Sequence, residues 1–231
     1  AALSDGKSIV KKILRSNDTI ATIDACRRFG VEVEESENNI TINNTINETV
    51  QSSSINAENS GTTIRIAIAI AALSGGDTTL TGDESLRKRP MKPILDALEK
   101  LGVETESENG KPPIHIKGKI EGKEISVEGN ISSQFISAFL IIAPRLDEGL
   151  IINIEGELVS KPYVDLTIAI MEKFGVEVEI EEMYKRYVVK HQIYQPTTFS
   201  IPSDFSNLAL LLAANVLLGD GLTIKINLAL V

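Results

Sequence analysis

The sequence predicts an α/β (α+β) fold made of repeats of one module around buried helices. Three observations carry this. First, three segments end alike, at Phe29-Gly30-Val31-Glu32, Leu101-Gly102-Val103-Glu104 and Phe174-Gly175-Val176-Glu177, and their glycines are 72 and then 73 residues apart. Second, Gly61 to Leu73, Ser132 to Pro144 and Asp204 to Leu218 recur on the same period, each passing from polar residues into a nearly all-apolar run. Third, Val or Ile alternates with polar residues in short stretches between them, the period of a half-buried strand.

Each element has a local reason. The first set reads as amphipathic helices closed by glycine at the left-handed C′ position, each followed by a strand of alternating Val and Glu. The second set is apolar on every side, so these helices are expected to run buried through the middle of a layer. One module therefore reads helix, strand, helix, strand, strand. The fullest example opens at Asn59-Ser60-Gly61-Thr62-Thr63 and continues as an apolar helix whose only charge is Arg65. Gly75-Gly76 ends that helix, a Thr-rich strand runs to Thr81, and Arg87-Lys88-Arg89 precedes Pro90, placed in the first turn of the next helix. The Asn-rich stretch Asn38 to Asn47 reads as surface turns, and the acidic stretches Glu32 to Glu37 and Glu177 to Glu182 as solvated surface.

Ala1 to Ser8 matches Ala71 to Thr78, which puts residue 1 at the end of a buried helix, and Asp204 to Ile226 opens a module without reaching its Gly-Val-Glu turn. Both ends are thus expected to be interior to a longer protein. A first domain is expected over 1–195, crossing at Tyr194-Gln195-Pro196, with 196–231 the beginning of a second.

Composition narrows the class. The 231 residues are 42% hydrophobic and 24% charged, a soluble globular balance, and no apolar run reaches the ~18 residues a membrane span needs. Cys26 is the single cysteine, so no intramolecular disulfide can form, and a cytoplasmic setting is expected. The net charge of −9 argues against general nucleic-acid binding, so any anion must be held by local positive features. His115 and His191 lack partners at metal-ligand spacing, so no metal is expected. Cys26 reads as packing rather than a nucleophile.

Several residues invite chemistry. Ser132-Ser133-Gln134 begins the second buried helix; a cap needs one such side chain, and three in a row favour a phosphate at the positive helix end. Arg89, before Pro90, offers a planar fork for a carboxylate or phosphate. Arg65, one turn into an apolar helix, is expected to find a structural partner. Ser160 and Tyr163, in Ser160-Lys161-Pro162-Tyr163, take the corresponding place one module later, as either a cap and core-edge tyrosine or a pair of binding hydroxyls. Asp204 starts the third buried helix. Alone it would be a cap, but its match to the Ser-Ser-Gln position raises a second role as proton acceptor.

Taken together, Asn59-Ser60-Gly61-Thr62, Leu80-Thr81-Gly82-Asp83-Glu84 with Arg89-Pro90, Ser132-Ser133-Gln134-Phe135, Val159-Ser160-Lys161-Pro162-Tyr163 and Ser203-Asp204-Phe205-Ser206 resemble the 5-enolpyruvylshikimate 3-phosphate synthase (3-phosphoshikimate 1-carboxyvinyltransferase) family from residue 1 to about 226. The resemblance implies an enolpyruvyl transferase-like domain of three βαβαββ repeats, plus the start of a second such domain. It implies transfer of the enolpyruvyl group of phosphoenolpyruvate to the 5-hydroxyl of shikimate 3-phosphate by addition and elimination, in aromatic amino-acid (chorismate) biosynthesis, by a monomer without cofactor. It would place Ser132, Ser133, Ser160 and Tyr163 on shikimate 3-phosphate and Gln134 between the two substrates. Arg89, Asn59, Gly61 and Thr62 would lie on the phosphoenolpyruvate side, and Asp204 would take the proton. The family's Gly-Ser-Lys-Ser segment and its later Glu, Arg and Lys are absent from the 231 residues, so these residues alone are expected to be inactive and at most a shikimate 3-phosphate-binding module. A related family, UDP-N-acetylglucosamine enolpyruvyltransferase, usually has a Cys in the loop before its Arg-Pro; Gly82 to Pro90 has none.

Overall fold

The computed structural model describes residues 1–44, 53–219 and 223. Its elements in order are β1 (Gly6–Lys11), α1 (Asn17–Arg28), β2 (Glu32–Glu35), β3 (Asn39–Asn44), β4 (Ser53–Asn56), α2 (Gly61–Ser74), β5 (Asp77–Thr81) and α3 (Lys92–Lys100). There follow β6 (Glu104–Glu108), β7 (Lys111–Lys117), β8 (Glu124–Glu128), α4 (Ser133–Ile142), β9 (Leu150–Glu155), α5 (Lys161–Lys173), β10 (Glu179–Glu182), β11 (Arg186–Val189), β12 (Thr198–Ser200) and α6 (Phe205–Leu218).

Three sheets share one plan: a parallel pair, then two antiparallel neighbours. They are β4-β5-β7-β6, β8-β9-β11-β10 and β12-β1-β3-β2. In the last, β12 lies beside β1, with Ile9 opposite Thr198, and the buried Ser8 hydroxyl accepts the N–H of Thr197 at 3.2 Å. Two complete βαβαββ units are therefore visible, β4-α2-β5-α3-β6-β7 and β8-α4-β9-α5-β10-β11.

The expected glycine turns are present in atomic detail. Gly30, Gly102 and Gly175 have φ of 85°, 91° and 78°. The N–H groups of Val31, Val103 and Val176 reach back to the carbonyls of Cys26, Leu98 and Met171, each at 3.1 Å. The glycine N–H groups meet the carbonyls of Arg27, Glu99 and Glu172. This is a Schellman closure, made three times.

The core lies where α2 packs on α4 and α4 on α5. Ile64, Ile68, Phe135 and Phe139 are all at most 1% exposed. Each such side chain contributes about 1.5–3 kcal/mol through apolar burial.

Several expectations need correction. The module has a sixth element, a leading strand (β4, β8 or β12), three to five residues long and paired in parallel with β5, β9 or, far back in the chain, β1. Asn39–Asn44 is not a turn but strand β3, since Ile40 and Ile42 alternate into the core and that period outweighs asparagine's turn preference; 45–47 lie outside the described residues. The third Val-Glu strand begins late, at Glu179, because the Gln192 amide meets both backbone groups of Glu177 at 2.8 Å. Residues 1–5 form a turn, with the Ser4 N–H on the Ala1 carbonyl at 3.1 Å, rather than the end of a helix. Finally, α6 is apolar but not buried: Leu210, Val216, Leu217 and Leu218 are 70–84% exposed, no described element being packed over them.

Candidate functional site

The start of α2 is capped by Ser60, not by its neighbours. The Ser60 hydroxyl accepts the Thr63 N–H at 3.2 Å and the Thr63 hydroxyl at 2.7 Å, and Thr63 meets Thr22 of α1 at 2.7 Å. With capping settled by this buried residue, Asn59 and Thr62 are left for other partners.

Those partners assemble a cationic corner. Asn59 Oδ1 accepts from Arg89 Nη2 at 2.8 Å. The Thr62 hydroxyl accepts from Gln134 Nε2 at 2.9 Å, while Gln134 Oε1 accepts from Arg65 Nη1 at 2.5 Å. Arg65 Nη1 also donates to the Gly61 carbonyl at 3.2 Å, and its guanidinium lies 5.2 Å from the centre of the Phe135 ring. Both guanidiniums reach over Gly61. A Cβ placed there would stand 2.7 Å from Arg89 Nη1 and 2.8 Å from Arg65 Nη1. Among the described residues neither arginine has a carboxylate at ion-pair distance, and the buried Arg65 Nε has no hydrogen-bond partner. Burial, and then the charge of Arg89, lowers the Arg65 pKa from its ordinary value. Two like charges held together, with no carboxylate in contact with either among the described residues, form a place for an anion.

Pro90 lies outside the next helix, contrary to expectation. Arg89 follows the short 3₁₀ turn Leu86–Lys88 with extended backbone, φ −80° and ψ 132°, as a residue before proline prefers, and α3 begins only at Lys92. Its side chain is aimed by Asn59 rather than by a helix.

At the neighbouring helix start, Ser132 is the cap of α4, its hydroxyl accepting the Gln134 N–H at 3.3 Å, and Ser133 is the buried first residue. One turn further, Ser137 meets Thr167 of α5 at 2.8 Å, and Thr167 donates to the Tyr163 carbonyl at 2.8 Å. The beginnings of α2, α4 and α5 thus lie side by side. Ser160, at the head of α5, holds a left-handed backbone, φ 57° and ψ 41°, and its hydroxyl makes no capping bond. Tyr163 is 61% exposed. Asp204 is exposed at the head of α6, after β12, and its carbonyl accepts the Leu208 N–H.

Sequence reasoning undervalued two residues. Arg65 does find a partner, Gln134, but an uncharged one. Asp83, part of the Leu80–Glu84 motif but without a role of its own in the local pattern, accepts from the Leu86 N–H at 2.7 Å and from Asn59 Nδ2 at 2.8 Å. Its position 24 residues beyond Asn59 gave no signal. Asn59 and Asp83 also line a groove of about 820 Å³, together with Asp24, Arg27, Arg28 and Glu58 among others. Its charges are mixed, so the arginine side is the better anion site. Among the described residues no group of three His, Cys, Asp or Glu could hold a metal, and no helix is long and apolar enough to cross a membrane.

Modules of βαβαββ around buried helices, whose starts gather beside arginines, define an enolpyruvyl transferase-like fold. The sequence profile of the EPSP synthase (3-phosphoshikimate 1-carboxyvinyltransferase) family matches residues 1–229, and the chain belongs to that family. The 3-phosphoshikimate 1-carboxyvinyltransferase of Nitrosopumilus maritimus is 52% identical over 227 residues, 98% of this chain and 54% of the relative; that of Methanosarcina acetivorans is 44% identical over 231 residues, 97% and 54%. The solved EPSP synthase of Acinetobacter baumannii matches with a TM-score of 0.72 at 26% identity, over 90% of this chain and 47% of that one. The chain spans about half the length of the curated relatives it matches.

Proposed function

We propose that the protein carrying this chain transfers the enolpyruvyl group of phosphoenolpyruvate to the 5-hydroxyl of shikimate 3-phosphate and releases phosphate. The observation that supports it most is the pair Arg65 and Arg89 over Gly61, positive and without a carboxylate partner among the described residues. A small, strongly anionic substrate fits there. Arg89, Asn59, Gly61 and Thr62 form the phosphoenolpyruvate side, and Gln134, bridging α2 and α4, stands between the substrates. Ser132, Ser133, Ser160 and Tyr163, at the heads of α4 and α5, take shikimate 3-phosphate.

In the addition step the 5-hydroxyl oxygen bonds to C2 of phosphoenolpyruvate, C3 gains a proton, and the hydroxyl proton passes to a carboxylate. In the elimination step C3 loses a proton, the C2–O bond to phosphate breaks, and the double bond re-forms. Electrons balance without an external oxidant or reductant. Asp204 is proposed as the proton acceptor, on the family resemblance and its place in the repeat. A division near 195, across which Thr198–Ser200 reaches back to pair with β1, a monomeric state and a cytoplasmic location belong to the same proposal.

The test is phosphate release by a polypeptide that carries this sequence at its relatives' length, given both substrates. Release dependent on both is expected; none, or release with UDP-N-acetylglucosamine replacing shikimate 3-phosphate, overturns the reading. For Asp204, Asp204→Asn should cut turnover at least about 100-fold with both KM values little changed, and unchanged turnover removes it from the mechanism.

A further inference from the structure

Arg89 holds its direction without a carboxylate touching it. Its Nη2 donates to Asn59 Oδ1 at 2.8 Å, and the Asn59 amide nitrogen donates to Asp83 Oδ2 at 2.8 Å. An ionised carboxylate can only accept, so Asp83 obliges Asn59 to turn its NH2 inward and leaves its carbonyl oxygen for the arginine. Asp83 is itself fixed: Oδ1 takes the Leu86 N–H at 2.7 Å, and its own N–H donates to the Glu58 carbonyl at 2.8 Å. The loop that ends in Arg89 and the loop that opens α2 are thereby tied at one residue.

We infer that Asp83 is a positioning residue for anion binding, aiming Arg89 through Asn59 while standing one side chain away from it. A carboxylate in direct contact would neutralise the guanidinium and compete with an incoming phosphate or carboxylate. One held beyond Asn59 supplies orientation and leaves the positive charge for the ligand. Asp83→Asn removes this arrangement, because Leu86 and Asn59 are met by different oxygens of the carboxylate and the amide keeps only one of them, and an amide NH2 facing Asn59 leaves that residue free to flip.

The inference rests on the phosphoenolpyruvate side proposed above, and the experiment separates the two. Steady-state kinetics are measured for wild type, Asp83→Asn, Asp83→Glu and Asn59→Ala, alone and combined, in a polypeptide of the relatives' length. Asp83→Asn should raise the KM for phosphoenolpyruvate roughly tenfold and leave that for shikimate 3-phosphate within about twofold. Asp83→Glu should recover most of the loss. In the Asn59→Ala background Asp83→Asn should add nothing further, because the relay is already cut. Equal rises in both KM values, or additive effects in the double variant, mark a merely structural residue and overturn the inference. So does an unchanged KM in Asp83→Asn. If Asp83→Asn does not fold, Asn59→Ala decides alone: unchanged phosphoenolpyruvate KM in that exposed variant overturns the relay. A wild type that does not use phosphoenolpyruvate at all defeats the functional reading instead.

Discussion

Lys88-Arg89-Pro90 and Ser160-Lys161-Pro162 occupy the same place in successive modules, yet they are built differently. The first leaves a 3₁₀ turn, extends at Arg89 and delays its helix to Lys92. The second puts Ser160 in the left-handed region and starts its helix at once, with Pro162 in the first turn. The arginine end is wired in advance: Arg89, Asn59 and Asp83 form one chain of hydrogen bonds, and Arg65, Gln134 and Thr62 form another. The serine end is open, with no capping bond to the Ser160 hydroxyl and Tyr163 largely exposed. One module can therefore present either a fixed charge or an available hydroxyl, according to how the chain enters the helix.

Substitutions at the two ends test that contrast. The largest effect is expected at Arg89, where Arg89→Ala removes a charge-assisted contact and should cut kcat/KM for phosphoenolpyruvate about 100-fold, read from initial rates. Gly61→Ala comes next. Its new Cβ meets guanidinium nitrogens at 2.7 and 2.8 Å, so the arginines must shift. The KM for phosphoenolpyruvate should rise roughly tenfold while that for shikimate 3-phosphate stays within about twofold.

At the open end the effects are smaller and of another kind. Ser160→Gly relieves a left-handed backbone and should stabilise the fold by about 1 kcal/mol, measured by denaturant midpoint, while weakening shikimate 3-phosphate about fivefold through the lost hydroxyl. A gain of affinity there would reverse the assignment. The smallest effect concerns pH. The Leu86 N–H, then the Asn59 amide, hold the Asp83 carboxyl below its ordinary pKa. A lowered folded-state pKa means its contribution is complete above the unfolded value, about pH 4, and fades as pH falls through the folded one. Phosphoenolpyruvate affinity should therefore not change through Asp83 between about pH 5 and 8. Asp83→Asn should weaken that affinity by the same factor across the whole range.

What the sequence disclosed was what depends on near neighbours. The Gly-Val-Glu turns were legible because a Schellman closure spans six residues and requires a left-handed glycine. The buried helices α2 and α4 were legible because apolar residues surround them. Strands β4, β8 and β12 were not, being short and paired with partners at a distance, as β12 is with β1. Asn39–Asn44 misled because side-chain type pointed to turns while Ile40 and Ile42 fixed the period. Among the candidate residues, Arg89 before its proline and the Ser132-Ser133-Gln134 start of α4 stand out from local pattern alone. The Arg65–Gln134 bond spans 69 residues, so nothing short of the folded packing of α2 on α4 could show that arginine's partner.

The most direct measurement is a crystal structure of a polypeptide at the relatives' length with phosphoenolpyruvate and shikimate 3-phosphate bound. Phosphoenolpyruvate is expected against Arg89 above Gly61, and the shikimate phosphate on the hydroxyls that head α4 and α5. Either molecule seated away from these helix starts, or both with Arg89 and Ser160 turned to different faces, would contradict it.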